Sequence, residues 1–225
     1  MSHKTLQDFA QDLRGPNVAA EWRGSWATAL LYRRPGVVLA WILARWHVHP
    51  GTVTLAALLF ALSLPLQAWL WPFGAAPWLV CLSAMVFQIL DCTDGTLARH
   101  TGQTSQRGAD MDFLVDMAQW ALLYLAIGIL ADRQFDTGYL WTAIAAVAAW
   151  SRLMARVTRD CLDSGAKGAP STPTLKDYPS LFLGGISGLI PLFALAGSWL
   201  HWVVVALLIY ALLDIIEGAM PLFRK

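Results

Sequence analysis

Along the chain, long apolar runs alternate with short polar joints. A spanning helix must cover a hydrocarbon core of ~30 Å, which takes ~20 apolar residues. Six runs approach that length, at roughly 52–71, 76–98, 108–131, 138–160, 179–197 and 199–217. The joints at 72–75, at 132–138 and near Gly197-Ser198 are short, whereas 161–178 is rich in Gly, Pro, Ser and Thr and predicts a loop. Two shorter segments come first. In residues 4–14, Leu6, Phe9, Ala10 and Leu13 recur at i, i+3, i+4 and i+7 among Lys4, Asp8, Asp12 and Arg14, and Pro16 ends the pattern. That periodicity predicts a short amphipathic helix. Residues 37–46, "VVLAWILARW", are apolar but too short to cross, and Arg33, Arg34 and Arg45 flank them. A helix lying at the headgroup level is expected there. The pattern therefore predicts an all-α polytopic membrane protein. Interfacial helices occupy 1–50, six transmembrane helices 51–218 and a cytoplasmic tail 219–225, with no internal repeat.

Composition agrees. The 225 residues are 57% hydrophobic and 14% charged, where soluble domains carry about 25% charged residues. A formal net charge of +1 leaves no electrostatic footprint for nucleic acid. Trp69, Trp71, Trp78, Trp199 and Trp202 fall at the predicted interfaces and read as an aromatic belt. Cys81, Cys92 and Cys161 are odd in number and widely spaced, so they form neither a disulfide framework nor a metal motif and read as small helical residues. The polar N-terminus lacks the apolar core of a secretory signal. With six spans, and with Arg152, Arg156 and Arg159 assigned to the emerging end of the fourth, only Arg133 of the 16 Lys and Arg residues lies opposite the N-terminus. The positive-inside rule makes the N-terminal side cytoplasmic. In a bacterium the membrane would be the inner one.

Against this background, "DCTDGTLARHTGQTSQRGADMDFLVD" at 91–116 is anomalous, because it places five aspartates between two apolar runs. Asp91 and Asp94 are three residues apart at the end of the second span, so their directions differ by about 60°. Asp112 and Asp116 are four apart at the start of the third, about 40° by the same geometry. The 99–107 connection brings the helices back antiparallel, and two acidic stripes face each other near the cytoplasmic boundary. One carboxylate in a membrane costs about 2.5–3.5 kcal/mol on insertion scales, and four facing one another add repulsion. A bound divalent cation relieves both, and all-oxygen ligation suits magnesium, manganese or calcium. The competing reading makes such residues boundary charges or helix caps. It is adopted for Asp110, which points about 200° away from Asp112. Gly95, Ala98 and Gly108 leave room beside the helix backbones, and Arg99 offers a fork of donors to a phosphate. Together these describe a diphosphate site.

Written with its spacing, the stretch is Asp91-x2-Asp94-Gly95-x2-Ala98-Arg99-x8-Gly108-x3-Asp112-x3-Asp116. It resembles the signature of the CDP-alcohol phosphotransferase (phosphatidyltransferase) family at every position. The six-span layout, the interfacial N-terminal helix and the entry "HPGTVT" to the first span look like the family too. The resemblance implies cleavage of a CDP-linked alcohol and transfer of its phosphoalcohol to a hydroxyl, releasing CMP. It implies that Asp91, Asp94 and Asp112 bind divalent metal, two Mg2+ or Mn2+ ions, and through them the diphosphate. Asp116 would be the base toward the acceptor while also touching the second metal, and Gly95, Ala98, Arg99 and Gly108 the nucleotide side of the pocket. One position departs from the pattern. Where the family often places Asn or Asp after the proline opening the first span, this chain has Gly51, so that a side-chain contact to cytidine is either missing or supplied elsewhere, for example by Thr52, Thr54 or Ser105.

The remaining polar residues admit two readings. Arg152, Arg156 and Arg159 fall at i, i+4 and i+7 on the fourth span. They are either a wall for a phosphorylated acceptor or lipid phosphate, with Arg152 and Arg156 foremost, or ordinary flanking charge. His47 and His49 read as headgroup contacts, and Asp214 and Glu217 as charges snorkelling to water at the last helix's rim. The expected donor is CDP-diacylglycerol, attacked by a small alcohol such as glycerol phosphate, inositol phosphate or serine. The runner-up is a soluble CDP-choline or CDP-ethanolamine donating to diacylglycerol. A polytopic cation transporter would also use intramembrane carboxylates. It is disfavoured because no polar residue continues through the far halves of the helices. Membrane lipids are the surroundings, and a homodimer is compatible with the family.

Overall fold

The computed structural model describes residues 5–14, 25–163 and 184–219. The elements are α1 (Leu6–Ala10) with a 3-10 turn at Gln11–Arg14, α2 (Trp26–Leu31), α3 (Arg33–Arg45), α4 (Pro50–Leu70), α5 (Ala76–Thr101), α6 (Gln106–Phe135), α7 (Leu140–Asp163), a short turn at Ser187–Leu189 leading into α8 (Ile190–Phe193), and α9 (Leu200–Ala219), entered by a turn at Gly197–Trp199. Among the described residues no strand occurs, as an all-α fold requires.

Helices α4 and α9 show why the pattern reads as membrane. On α4, Ala57, Ala61, Leu64 and Ala68 are buried while Leu55, Leu59, Leu62 and Leu66 are exposed. On α9, Leu200, Val204, Leu207, Ala211, Asp214 and Gly218 form the buried stripe, and Ile209, Leu212, Leu213 and Ile216 face outward. Large apolar residues facing outward, with alanines prominent on the buried face of α4, is the membrane arrangement, since packing and not water exclusion holds such helices together. Trp69, Trp71, Trp78, Trp199 and Trp202 are all exposed, as a belt requires. The three cysteines are all helical.

The count of six spans is not reproduced. Among the described residues four helices are long and apolar enough to cross a membrane: α4, α5, α6 and the Gly197–Ala219 segment. Helix α7 has the length, its 24 residues rising ~36 Å, but Arg152, Arg156, Arg159 and Asp160 make its second half polar. Of the expected 179–197 run, residues 179–183 lie outside the described residues, and Gly184–Phe193 is shorter than a span. The predicted loop at 161–178 lies outside them from 164 onward.

The described chain forms two compact units. One gathers residues up to Ala61, Leu82–Asp116 and 184–191; the other gathers Leu62–Cys81, 117–163 and 192–219. In the first, α3 packs against α5: a Cβ added at Gly36 would stand 2.8 Å from Cys92 Cβ, so only glycine permits this approach. The Thr93 hydroxyl contacts the carbonyls of Gly36 and Ile89 at 3.2 and 2.6 Å. The expected headgroup helix is therefore docked onto the signature helix. In the second unit α7 packs along α9, with Gly218 facing the Ala155 carbonyl.

Candidate active site

Helix α5 carries Asp91, Asp94, Gly95, Ala98 and Arg99, and α6 carries Gly108, Asp112 and Asp116. Both helices overrun their expected ends, and the joint shrinks to residues 102–105. Local chemistry explains the short turn. Gly102 takes the left-handed conformation at φ 68°, and the Gln103 N–H donates to the Ala98 carbonyl at 2.9 Å, a Schellman closure. Ser105 then caps α6, its Oγ accepting from the Gly108 N–H at 3.0 Å. Asp110 accepts from the Gln106 amide at 2.8 Å on the exposed helix surface, in keeping with its reading as a helix-start residue. The acidic pairs consequently sit inside the helices: Asp94 lies ~10 Å of helix axis before Thr101.

All four aspartates belong to the first unit. Asp94 is buried, and Asp91, Asp112 and Asp116 are half-buried. The Thr54 hydroxyl lies 2.6 Å from Asp94 Oδ2 and 3.3 Å from the Pro50 carbonyl, so its proton goes to the carboxylate. Asp112 and Arg99 both lie within electrostatic reach of Asp94. A buried carboxylate thus has a second acid from the next helix beside it.

Among the described residues no three His, Cys, Asp or Glu side chains stand close enough to complete a metal shell by themselves. The donor chemistry nevertheless fits a hard divalent cation. The set is all-carboxylate, and one member is buried facing a like charge, which is costly until a cation enters.

The nucleotide-side residues fall as follows. Beside Gly95 the nearest atom to an added Cβ would be Arg99 Nη1 at 3.3 Å, and beside Gly108 it would be Ser105 Oγ at 3.1 Å. Ala98 is half-buried between them in sequence. Arg99 points its Nε and Nη2 at Asp12, a pairing that sequence patterns did not reveal. At Gly51 the space for a side chain is taken by the His49 ring, 3.3 Å from where a Cβ would stand, and His49 Nδ1 accepts from the Gly51 N–H at 3.1 Å. His49 therefore belongs to the start of α4. Of the three substitutes for the missing contact, Thr54 is held by Asp94 and Ser105 by its cap. Thr54 ties the "HPGTVT" entry to the signature helix, which its distance in sequence from Asp94 had hidden.

Arg152 and Arg156 lie in the second unit and do not act as a pair. Arg152 is ion-paired with Asp214, and its guanidinium lies over the rings of Trp120 and Tyr210 at 5.4 and 5.0 Å. Arg159 joins the same Asp214. Arg156 is exposed, 3.8 Å from Asp160. Asp214 is corrected: it does not snorkel to water but is buried between two guanidiniums. Its place on the buried stripe, three residues beyond Ala211, was the signal for this. Arg133, expected in a loop, is helical; it donates to the Ala68 carbonyl and lies 5.7 Å from the Phe73 ring.

Two comparisons bear on this geometry. A family model described as CDP-alcohol phosphatidyltransferase matches residues 46–210, which takes in Thr54, all four aspartates, Arg99 and Arg152. The chain is also 32% identical over 190 residues to the phosphatidylinositol phosphate synthase of Cutibacterium acnes (strain DSM 16379 / KPA171202), covering 81% of this chain and 86% of that protein.

Proposed function

The chain belongs to the CDP-alcohol phosphatidyltransferase family, integral membrane transferases of substituted phosphate groups, and on that premise we propose a specific reaction and site. The donor is CDP-diacylglycerol, and the acceptor is a small phosphorylated alcohol, an inositol phosphate before others. The name of the Cutibacterium relative, a phosphatidylinositol phosphate synthase, supports that acceptor. It weighs against a CDP-choline or CDP-ethanolamine donor. The observation that carries the site is buried Asp94, fixed by Thr54 and faced by Asp112, within a signature matched in full.

Asp91, Asp94, Asp112 and Asp116 would hold two Mg2+ or Mn2+ ions, which when bound neutralise charge on the diphosphate and its transition state. Thr54 keeps the Asp94 carboxylate in one orientation. Arg99 lends its guanidinium to the diphosphate. Gly95, Ala98 and Gly108 leave the helix surface low enough for the nucleotide to approach. Asp116 takes the proton from the acceptor hydroxyl. The freed oxygen bonds to the phosphorus bearing diacylglycerol, the bond from that phosphorus to the CMP oxygen breaks, and CMP leaves with the electron pair. The proton then passes from Asp116 to water. The distribution of Lys and Arg supports a site on the cytoplasmic face.

Purified protein with labelled CDP-diacylglycerol, magnesium and a panel of acceptors tests the reading. CMP release that depends on an inositol phosphate is expected. Release with serine or glycerol phosphate alone would displace that acceptor, and no release with any acceptor would reject the donor.

A further inference from the structure

Arg99 is gripped from two sides. Its Nε and Nη2 each lie 3.4 Å from Asp12 Oδ2, Nη2 lies 3.3 Å from Thr96 Oγ1, and Nη1 rests over the bare face of Gly95. The other oxygen of Asp12 lies 3.2 Å from His100 Nε2. The His100 ring stacks on Phe9 with centroids 4.0 Å apart and planes 17° from parallel. Phe9 in turn is buried among Val37, Ala40, Val53 and Leu97. Helix α1 itself starts on a capping box, Thr5 with Asp8. The N-terminal helix, expected to float at the headgroups, is clamped to the last turns of the signature helix. An amphipathic helix that only binds lipid needs no carboxylate shared by two basic side chains of another element.

We propose that Asp12 is a positioning residue for the transfer reaction. It holds the rear edge of Arg99 so that Nη1 stays over Gly95, aimed at a nucleotide diphosphate. An arginine at an exposed helix end otherwise samples many rotamers, and ordering it in advance removes that cost from binding. The negative charge of Asp12 subtracts little, because the pair is partly exposed, with side chains 36% and 23% accessible, and water screens it. This inference rests on the reading of Arg99 as a diphosphate ligand.

The test measures the dissociation constant of CDP-diacylglycerol for the full-length protein in detergent, beside the thermal midpoint. Arg99→Ala is expected to weaken binding about tenfold, the size of a charge-assisted hydrogen bond. Asp12→Ala and Asp12→Asn should weaken it about three- to fivefold at an unchanged thermal midpoint, since only preorganisation is lost. Asp12→Glu should restore most of the affinity. In an Arg99→Ala background Asp12→Ala should add nothing, because the two act through one group. An additive loss, unchanged binding or tighter binding in both Asp12 variants overturns the proposal while leaving the diphosphate reading intact. An unaffected Arg99→Ala overturns the reading and the proposal with it.

Discussion

Asp94, Asp132 and Asp214 are almost equally shielded, 5%, 5% and 9% exposed, yet their surroundings are opposite. In the second unit Asp132 accepts from Thr137 Oγ1, the Trp141 and Thr142 N–H groups and Thr142 Oγ1, all between 2.6 and 2.9 Å, and so closes the start of α7. Asp214 lies between the guanidiniums of Arg152 and Arg159. In the first unit Asp94 has the Thr54 hydroxyl and, as its largest charged neighbour, another carboxylate. A buried acid that the fold itself satisfies is architecture. One set against another acid, with only Arg99 as a nearby cation among the described residues, is on the proposed reading where a divalent cation would bind.

The widest separation between the two kinds is expected in catalysis. Asp94→Asn, Asp91→Asn or Asp112→Asn should cut CMP release from CDP-diacylglycerol at least ~10³-fold, since several kcal/mol of charge stabilisation leave with the cation. The thermal midpoint should hold or rise, because one of two facing charges has gone. Chelator should produce the same loss in the unaltered protein, reversed by magnesium. Turnover that survives both chelator and substitution would erase the distinction between the acidic pairs and the structural aspartates.

In the second unit the same kind of change should act on folding. Asp214→Ala strands Arg152 in the protein interior, and breaking a buried pair in this way costs about 3–5 kcal/mol, seen as a lower thermal midpoint in detergent. Replacing Arg152 and Asp214 together by Met and Leu should recover much of it. Asp132→Ala removes a multiply bonded cap and should cost about 1–3 kcal/mol. Activity per folded molecule should be unchanged by Asp132→Ala. If it instead falls as steeply as in Asp94→Asn, burial with satisfied donors is not a mark of architecture here.

How much of this was visible in the residues alone follows from distance along the chain. The signature was legible because its spacing is local: two helices and one turn fix which side chains share a face, and Gly102 and Ser105 do the rest. The helix ends were misjudged because "TGQTSQ" reads as a loop, whereas the Schellman closure and the Ser105 cap compress the turn to residues 102–105. Thr54 with Asp94, Asp12 with Arg99 and Arg152 with Asp214 were not legible. Each joins helices far apart in sequence, and periodicity gives the face of a helix without naming its neighbour. Asp214 was half-legible, since its register on the buried stripe of α9 announced burial but not the partner. The membrane character was plain, but the number of spans was not, because α7 mixes length enough to cross with a charged second half.

The smallest expected effect is at Gly95, where binding and folding separate most finely within the acidic unit. A Cβ there meets a single atom within 4 Å, Arg99 Nη1 at 3.3 Å, which is the far end of a flexible side chain. Gly36 differs in kind, because its added Cβ would meet Cys92 Cβ at 2.8 Å and backbone atoms of Ile89 and Cys92 behind it. Gly95→Ala should therefore leave stability within about 0.5 kcal/mol, the helix propensity gained offsetting the slight crowding. Displacing Nη1 by a few tenths of an ångström should still weaken CDP-diacylglycerol binding, by about two- to threefold, if the guanidinium is aimed and not merely nearby. Titrating the lipid nucleotide against both proteins decides the point. Equal affinity would mean that the bare face of Gly95 serves helix packing alone, and the acidic unit would lose one of the features that set it apart.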